Sequence, residues 1–201
     1  MFYTVARFLF RWLYLLLFNI KIEGIDNVPE TGGAIIASTH ISNFDPVTLG
    51  FCLKRKLRFM AKEELFKVKL FAVFLRSLGA FPIKRGSRDK TAIENAAQVL
   101  RNGNLLVIFP EGTRSKSGNV GEFKPGALLI AHKAETPLVP VAIVAKKRYR
   151  LFGGIRIVFG KPLTVKDLDM EQANSKELKN SCLRLREKTI LLGLSSSNKA
   201  I

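Results

Sequence analysis

The sequence predicts a single α/β domain with a mainly parallel or mixed sheet flanked by helices, preceded by an amphipathic N-terminal helix. Three observations lead there. Short apolar runs alternate with longer stretches of helical periodicity. The chain has 201 residues and is 47% hydrophobic, enough for one substantial core. The opening residues are apolar and aromatic, but Arg7 and Arg11 interrupt them.

Residues 1–20 read as the helix. At roughly 100° per residue, Tyr3, Thr4, Arg7, Arg11 and Tyr14 fall on one stripe, opposite Phe2, Val5, Leu9, Trp12, Leu13 and Leu16. A membrane span needs about 20 apolar residues. The charge-free stretch before Lys21 runs only from Trp12 to Ile20. A helix lying in the interface lets both arginines reach lipid phosphates while the apolar face sinks into acyl chains. A tilted span and a helix packed on the domain's own core stand as alternatives. Phe18-Asn19-Ile20-Lys21 offers no small-residue cleavage site, which speaks against a signal peptide.

Seven strands follow, at 20–23, 34–38, 57–61, 80–83, 105–109, 138–144 and 155–159. Helices are expected at 46–53, 70–78, 89–101, 126–134 and 171–192. The clearest is 89–101: Asp89 caps it, Ile93, Ala96, Ala97 and Leu100 form its apolar face, and Gly103 follows. The α/β domain is thus expected to span 21–194, with a flexible polar tail at 195–201.

The charge is lopsided. Lys and Arg number 33 against 16 Asp and Glu, a net +17. Basic disordered chains are poor in apolar residues, and this one is not, so the charge belongs on a folded surface that attracts anions. Net charge does not choose between lipid, phosphorylated substrate and nucleic acid. The run Lys146-Lys147-Arg148-Tyr149-Arg150 interleaves an aromatic with cations, as nucleic-acid binders do, but beside an apolar helix it reads better as a loop facing anionic lipid. Cys52 and Cys182 lie in apolar surroundings and form no C-x-x-C, so they are expected to be buried thiols, not a zinc site or a disulfide framework.

Two histidines are present. His132 sits in a helical run and is read as structural or surface. His40 follows the apolar strand 34–38, and the chain brings Asp45 five residues later. In parallel sheets ligands sit beyond the carboxyl ends of strands. Asp45 before Pro46 is a ready N-cap. The loop between can also fold the carboxylate onto the imidazole, fix its tautomer and leave the other nitrogen as a general base. A serine nucleophile has no G-x-S-x-G elbow to sit on, and Ser42 is expected to hold the turn. Two histidines and no cysteine cluster argue against a metal site. Two further strands end in polar clusters. One is Gly79-Ala80-Phe81-Pro82-Ile83-Lys84-Arg85-Gly86, and the other Phe109-Pro110-Glu111-Gly112-Thr113-Arg114-Ser115. Arginine grips phosphate in bidentate fashion, and glycine admits a ligand close to the backbone. A base dyad beside such cations suits deprotonation of a hydroxyl on a phosphorylated substrate.

T-H-I-S-N-F-D, G-A-F-P-I-K-R, F-P-E-G-T-R-S and L-V-P-V-A, in this order, resemble the motifs of the glycerolipid acyltransferases, most closely the bacterial 1-acyl-sn-glycerol-3-phosphate type. The resemblance covers roughly residues 20–165. It implies acyl transfer from acyl-CoA or acyl-acyl carrier protein to the sn-2 hydroxyl of a lysophospholipid acceptor, with no cofactor and no metal. It implies His40 as general base and Asp45 as its orienting partner. Lys62, Arg85 and Arg114 would serve the acceptor's phosphate, Glu111, Gly112 and Thr113 would shape its site, and Pro140 would turn the fourth strand. Thr39 stands where the family more often has Asn. An anionic membrane surface is the implied partner, nucleic acid is not, and the expected location is peripheral or monotopic on the cytoplasmic face of the cell membrane.

Overall fold

The computed structural model describes residues 11–83, 90–115, 119–145 and 149–197. Arg7, Arg85, the cap Asp89 and residues 146–148 of the basic run lie outside them. The seven strands are β1 (Ile20–Glu23), β2 (Ala34–Ser38), β3 (Leu57–Lys62), β4 (Ala80–Ile83), β5 (Leu105–Ile108), β6 (Leu138–Ala145) and β7 (Ile155–Phe159). They form one sheet in the order β1-β7-β6-β2-β5-β3-β4. Every neighbouring pair is parallel except β6 and β7. The sheet is mixed, as expected.

The helices are α1 (residues 11–17), α2 (Asp45–Cys52), α3 (Lys69–Ser77), α4 (Lys90–Arg101), α5 (Gly126–Ala134) and α6 (Ser175–Ser197). Parallel neighbours need crossovers, and these helices supply them. The central strands β2 and β5 are buried along their whole length, which is why they read as unbroken apolar runs. Side chains alternate between two cores. Ile35, Ala37, Leu106 and Ile108 pack with α4, α5 and α6, including Leu100, Leu128 and Leu185. Ala34, Ile36, Leu105 and Val107 face the other way, toward Leu49 and Cys52 of α2 and Leu15 of α1. Each fully buried Leu or Ile side chain contributes roughly 1.5–3 kcal/mol.

Beyond one-residue shifts of an element's end, three differences from the sequence reading fall in α6 and β6. The last helix begins at Ser175, because Asn174 Oδ1 accepts the N–H groups of Lys176 and Glu177. Glu177 reaches back to the N–H groups of Glu171, Gln172 and Ala173, which holds those residues outside the helix. The same helix runs on through 195–197, where the sequence predicts the start of a polar tail. The third difference is Pro140. It does not turn β6, which continues to Ala145, and its carbonyl accepts the Gly160 N–H where the β7 pairing ends.

Gly79 opens the second motif at φ +86°, and a Cβ there would lie 2.2 Å from the Leu57 carbonyl oxygen. Only glycine lets the α3–β4 turn close against the start of β3.

In the described residues of α1, the polar stripe lies against the domain. Tyr14 and Arg11, on the polar stripe, face the domain. Tyr14 packs on Phe51 of α2, and the Arg11 guanidinium reaches the Cys52 carbonyl. The last turn of α2 leaves that carbonyl without a helical partner, and a cation suits the negative end of a helix. Trp12, Leu13 and Leu16, on the apolar stripe, are 57%, 50% and 70% exposed.

Candidate active site

The carboxyl ends of β2, β5, β3 and β4 lie side by side, and the loops leaving them build the site. Thr39, the residue in the position that more often holds Asn, is buried. Its hydroxyl accepts the Ile143 N–H at 2.9 Å, and its own N–H donates to Val141, pinning the end of β2 to β6. The threonine is thus consumed by the fold.

His40 comes next and is held on every side. Its N–H donates to Glu111 Oε1 at 2.9 Å, and its carbonyl accepts the Ser115 N–H at 2.8 Å. The F-P-E-G-T-R-S loop therefore grips the histidine backbone at both ends. The imidazole stacks on Phe109, with ring centroids 4.0 Å apart and planes 20° from parallel. Nδ1 lies 2.8 Å from Asp45 Oδ2. That oxygen also accepts the N–H groups of Ile41 at 2.7 Å and Ser42 at 2.8 Å. A carboxylate in this position makes Nδ1 the donor and leaves the lone pair on Nε2.

Asp45 is completely buried. It is the first residue of α2, not its cap. Phe44 occupies the cap position without a side-chain bond, and the carboxylate turns back to the 40–42 loop. Ser42 holds the turn as expected, its hydroxyl accepting the Phe44 N–H. One turn along α2, Thr48 is buried and gives its hydroxyl proton to the Phe44 carbonyl. Its oxygen then accepts from Tyr14 at 2.8 Å and Tyr149 at 2.9 Å. Burial first, and the negative charge of Asp45 next, push the Tyr149 phenol well above its ordinary range. Burial also raises the Tyr14 phenol. Both therefore stay protonated as donors.

His40 opens onto a cavity of about 2200 Å³. Lys62, Gly112, Thr113 and Arg114 line it, so the structure gathers these predicted residues with His40 around one space. Apolar side chains line it as well, Phe51, Phe59, Met60 and Leu129 among them. Glu111 stands apart from that group. It is buried, and its second oxygen accepts the Gly121 N–H at 2.9 Å. It shapes the site from behind, through the backbone of His40. Gly112 has φ +71°, and a Cβ there would come within 3.0 Å of the Lys124 ammonium. Lys124 and Arg58 also line the cavity, and neither stood out in the sequence. Thr48 carried a weak signal, lying one helical turn beyond Asp45. Phe109 had one too, as the first residue of its motif.

Cys52 and Cys182 are both free and buried. Burial pushes the Cys52 thiol up to about 12 and the Cys182 thiol up to about 11. Neither is a thiolate at neutral pH.

The sequence model described as "Acyltransferase" matches residues 19–144. Over 149 residues the chain is 36% identical to the 1-acyl-sn-glycerol-3-phosphate acyltransferase of Bacillus subtilis, covering 72% of this chain and 74% of that protein. It is 30% identical over 201 residues to a probable enzyme of the same name from Mycoplasma genitalium, covering 90% and 74%. Among solved structures it resembles the Thermotoga maritima 1-acyl-sn-glycerophosphate acyltransferase PlsC. The TM-score is 0.66 at 28% identity, over 90% of this chain and 73% of that one. The family model's match to residues 19–144 and the 36% identity to the Bacillus subtilis protein along most of both chains place the chain in the acyltransferase family.

Proposed function

We propose that this acyltransferase moves a fatty acyl group from an acyl thioester, acyl-CoA or acyl-acyl carrier protein, to the sn-2 hydroxyl of 1-acyl-sn-glycerol-3-phosphate. The products are phosphatidic acid and the free thiol. The observation that carries the proposal is the buried Asp45 carboxylate bonded to Nδ1 of His40, which lines a cavity that cations also line.

His40 Nε2 takes the proton of the acceptor hydroxyl as its oxygen attacks the thioester carbonyl carbon. The tetrahedral intermediate collapses, the carbon–sulfur bond breaks, and the leaving thiolate takes the proton back from the imidazolium. Asp45 holds the ring and stabilises its positive charge. Such proton transfer is worth about 10²–10⁴-fold, and positioning supplies much of the rest. Lys62 and Arg114, with Arg85 from the second motif, would bind the acceptor's phosphate. Gly112 and Thr113 would border it. The apolar cavity wall suits the acyl chains. The buried thiols fit a mechanism with direct transfer.

The exposed Trp12, Leu13 and Leu16 of α1 support a peripheral or monotopic position on a membrane, proposed at its cytoplasmic face. Among the described residues no helix is long and apolar enough to cross one. The test is a panel of lysolipid acceptors with each donor, products identified by mass. Phosphatidic acid from 1-acyl-sn-glycerol-3-phosphate supports the proposal. Transfer confined to glycerol 3-phosphate or to another lysolipid would replace it.

A further inference from the structure

Helix α3 presents its apolar side to solvent. Of its nine residues only Ala72 is buried. Leu70 is 86% exposed, Val73 68%, Phe74 52% and Phe71 42%. Val68 just before the helix is 63% exposed, and Leu65 in the preceding 3₁₀ turn (Glu63–Phe66) is 42% exposed. Phe71 and Phe74 stack on one another, with centroids 6.1 Å apart. Contiguous apolar surface of this kind marks an interaction site.

Cations border it. Lys67, Lys69 and Arg76 are exposed, and no acidic residue lies within α3. The Arg76 guanidinium sits over the Phe66 ring, 5.5 Å from its centroid. Glu63 and Glu64 lie one turn earlier, at the far end of the 3₁₀ turn. Bulky apolar and aromatic side chains flanked by Lys and Arg are complementary to the boundary between acyl chains and anionic headgroups. The surface is also continuous with the site, since Leu65, Leu75, Arg76 and Leu78 line the same cavity as His40.

We infer that α3 and the turn before it form a second membrane-docking surface, separate from α1, that inserts into an anionic phospholipid monolayer and sets the cavity mouth against it. Leu70, Phe71, Val73 and Phe74 enter the acyl region, and Lys67, Lys69 and Arg76 meet the headgroup phosphates. The consequence for catalysis rests on the proposed reaction: a lysolipid acceptor slides from the monolayer into the cavity without crossing water.

The test compares the full chain with Leu70→Asp/Val73→Asp, whose side chains are exposed and do not line the cavity. Binding is measured to vesicles of phosphatidylglycerol and phosphatidylethanolamine, and transfer is measured to a long-chain acceptor in those vesicles and to a short-chain soluble acceptor. The variant is expected to bind about tenfold more weakly or worse, and to lose transfer to the vesicle acceptor in proportion. It should keep parental transfer to the soluble acceptor and a parental circular dichroism spectrum. Lys67→Glu/Lys69→Glu is expected to flatten the salt dependence of binding. A Leu70→Trp substitution in a Trp12→Phe background should be quenched by brominated lipid. Parental vesicle binding by the aspartate variant, or no quenching of the new tryptophan, overturns the inference. So does a dimer-to-monomer change with vesicle binding intact, which would make the face a self-association surface. If the parent transfers to neither acceptor, the proposed reaction fails, while the binding and quenching results still decide the docking surface.

Discussion

Glu111 Oε1 accepts the backbone N–H of His40 at 2.9 Å, so the strongest of the four motifs acts on the first through the main chain. Its other oxygen holds Gly121. Removing the carboxylate leaves two partly buried N–H groups without their partner, each costing up to about 1–3 kcal/mol. Glu111→Ala should therefore lower the unfolding midpoint in urea and cut transfer together. Glu111→Gln keeps an acceptor for one N–H but turns an amide donor toward the other. It is expected to fall between parent and alanine in both measurements.

Asp45 Oδ2 serves three donors at once, which makes it structural and functional together. In Asp45→Asn the amide oxygen can still accept, but the negative charge that balances an imidazolium is gone. We expect kcat to fall by about 10²–10⁴-fold with KM for the acceptor little changed. Steady-state kinetics on folded variant check this split.

Thr48 ties Tyr14 of α1 and Tyr149 to the helix that carries Asp45. Thr48→Val removes the acceptor for two half-buried phenols and should cost about 1–3 kcal/mol, read by denaturant unfolding. The raised Tyr149 phenol also sets a pH dependence. A group whose pKa is raised on folding keeps its full contribution below its unfolded value, here the ordinary 10.0, and loses it as pH rises toward the folded value. Stability should therefore fall above about pH 10, and less steeply in Tyr149→Phe, when unfolding is followed across that range. Cys52 and Cys182, raised from the ordinary 9.0 to about 12 and about 11, begin a loss of the same sign lower down, above about pH 9.

The thiols yield a separate expectation. A direct-transfer mechanism has no use for them, so Cys52→Ala and Cys182→Ala should both retain transfer. Iodoacetamide at neutral pH should label the native protein slowly and the urea-unfolded protein fast, as mass spectrometry will show.

Much of this was legible in the sequence. The strands read clearly because β2 and β5 are buried on both faces and so leave unbroken apolar runs. The helix 126–134 was bounded as observed. Helix ends set by side chains from outside the helix were less legible, as where Asn174 and Glu177 delay α6. His40 and Asp45 could be paired because they are only five residues apart. Glu111 could not be seen to bond the His40 backbone, because the contact crosses 71 residues and depends on β2 and β5 being neighbours. The same holds for Lys124 above Gly112. On α1, of which only residues 11–17 are described, Arg11 caps α2 from outside, a contact that crosses 41 residues, and Trp12, Leu13 and Leu16 of the apolar stripe are exposed.

The most direct measurement is transfer by His40→Ala. Purified parent and variant are given 1-acyl-sn-glycerol-3-phosphate in vesicles with an acyl thioester donor, and the product is identified by mass. The parent should make phosphatidic acid acylated at sn-2. The variant should lose about 10²-fold or more of that rate while folding and binding vesicles like the parent. Parental turnover by a folded His40→Ala protein would contradict the account.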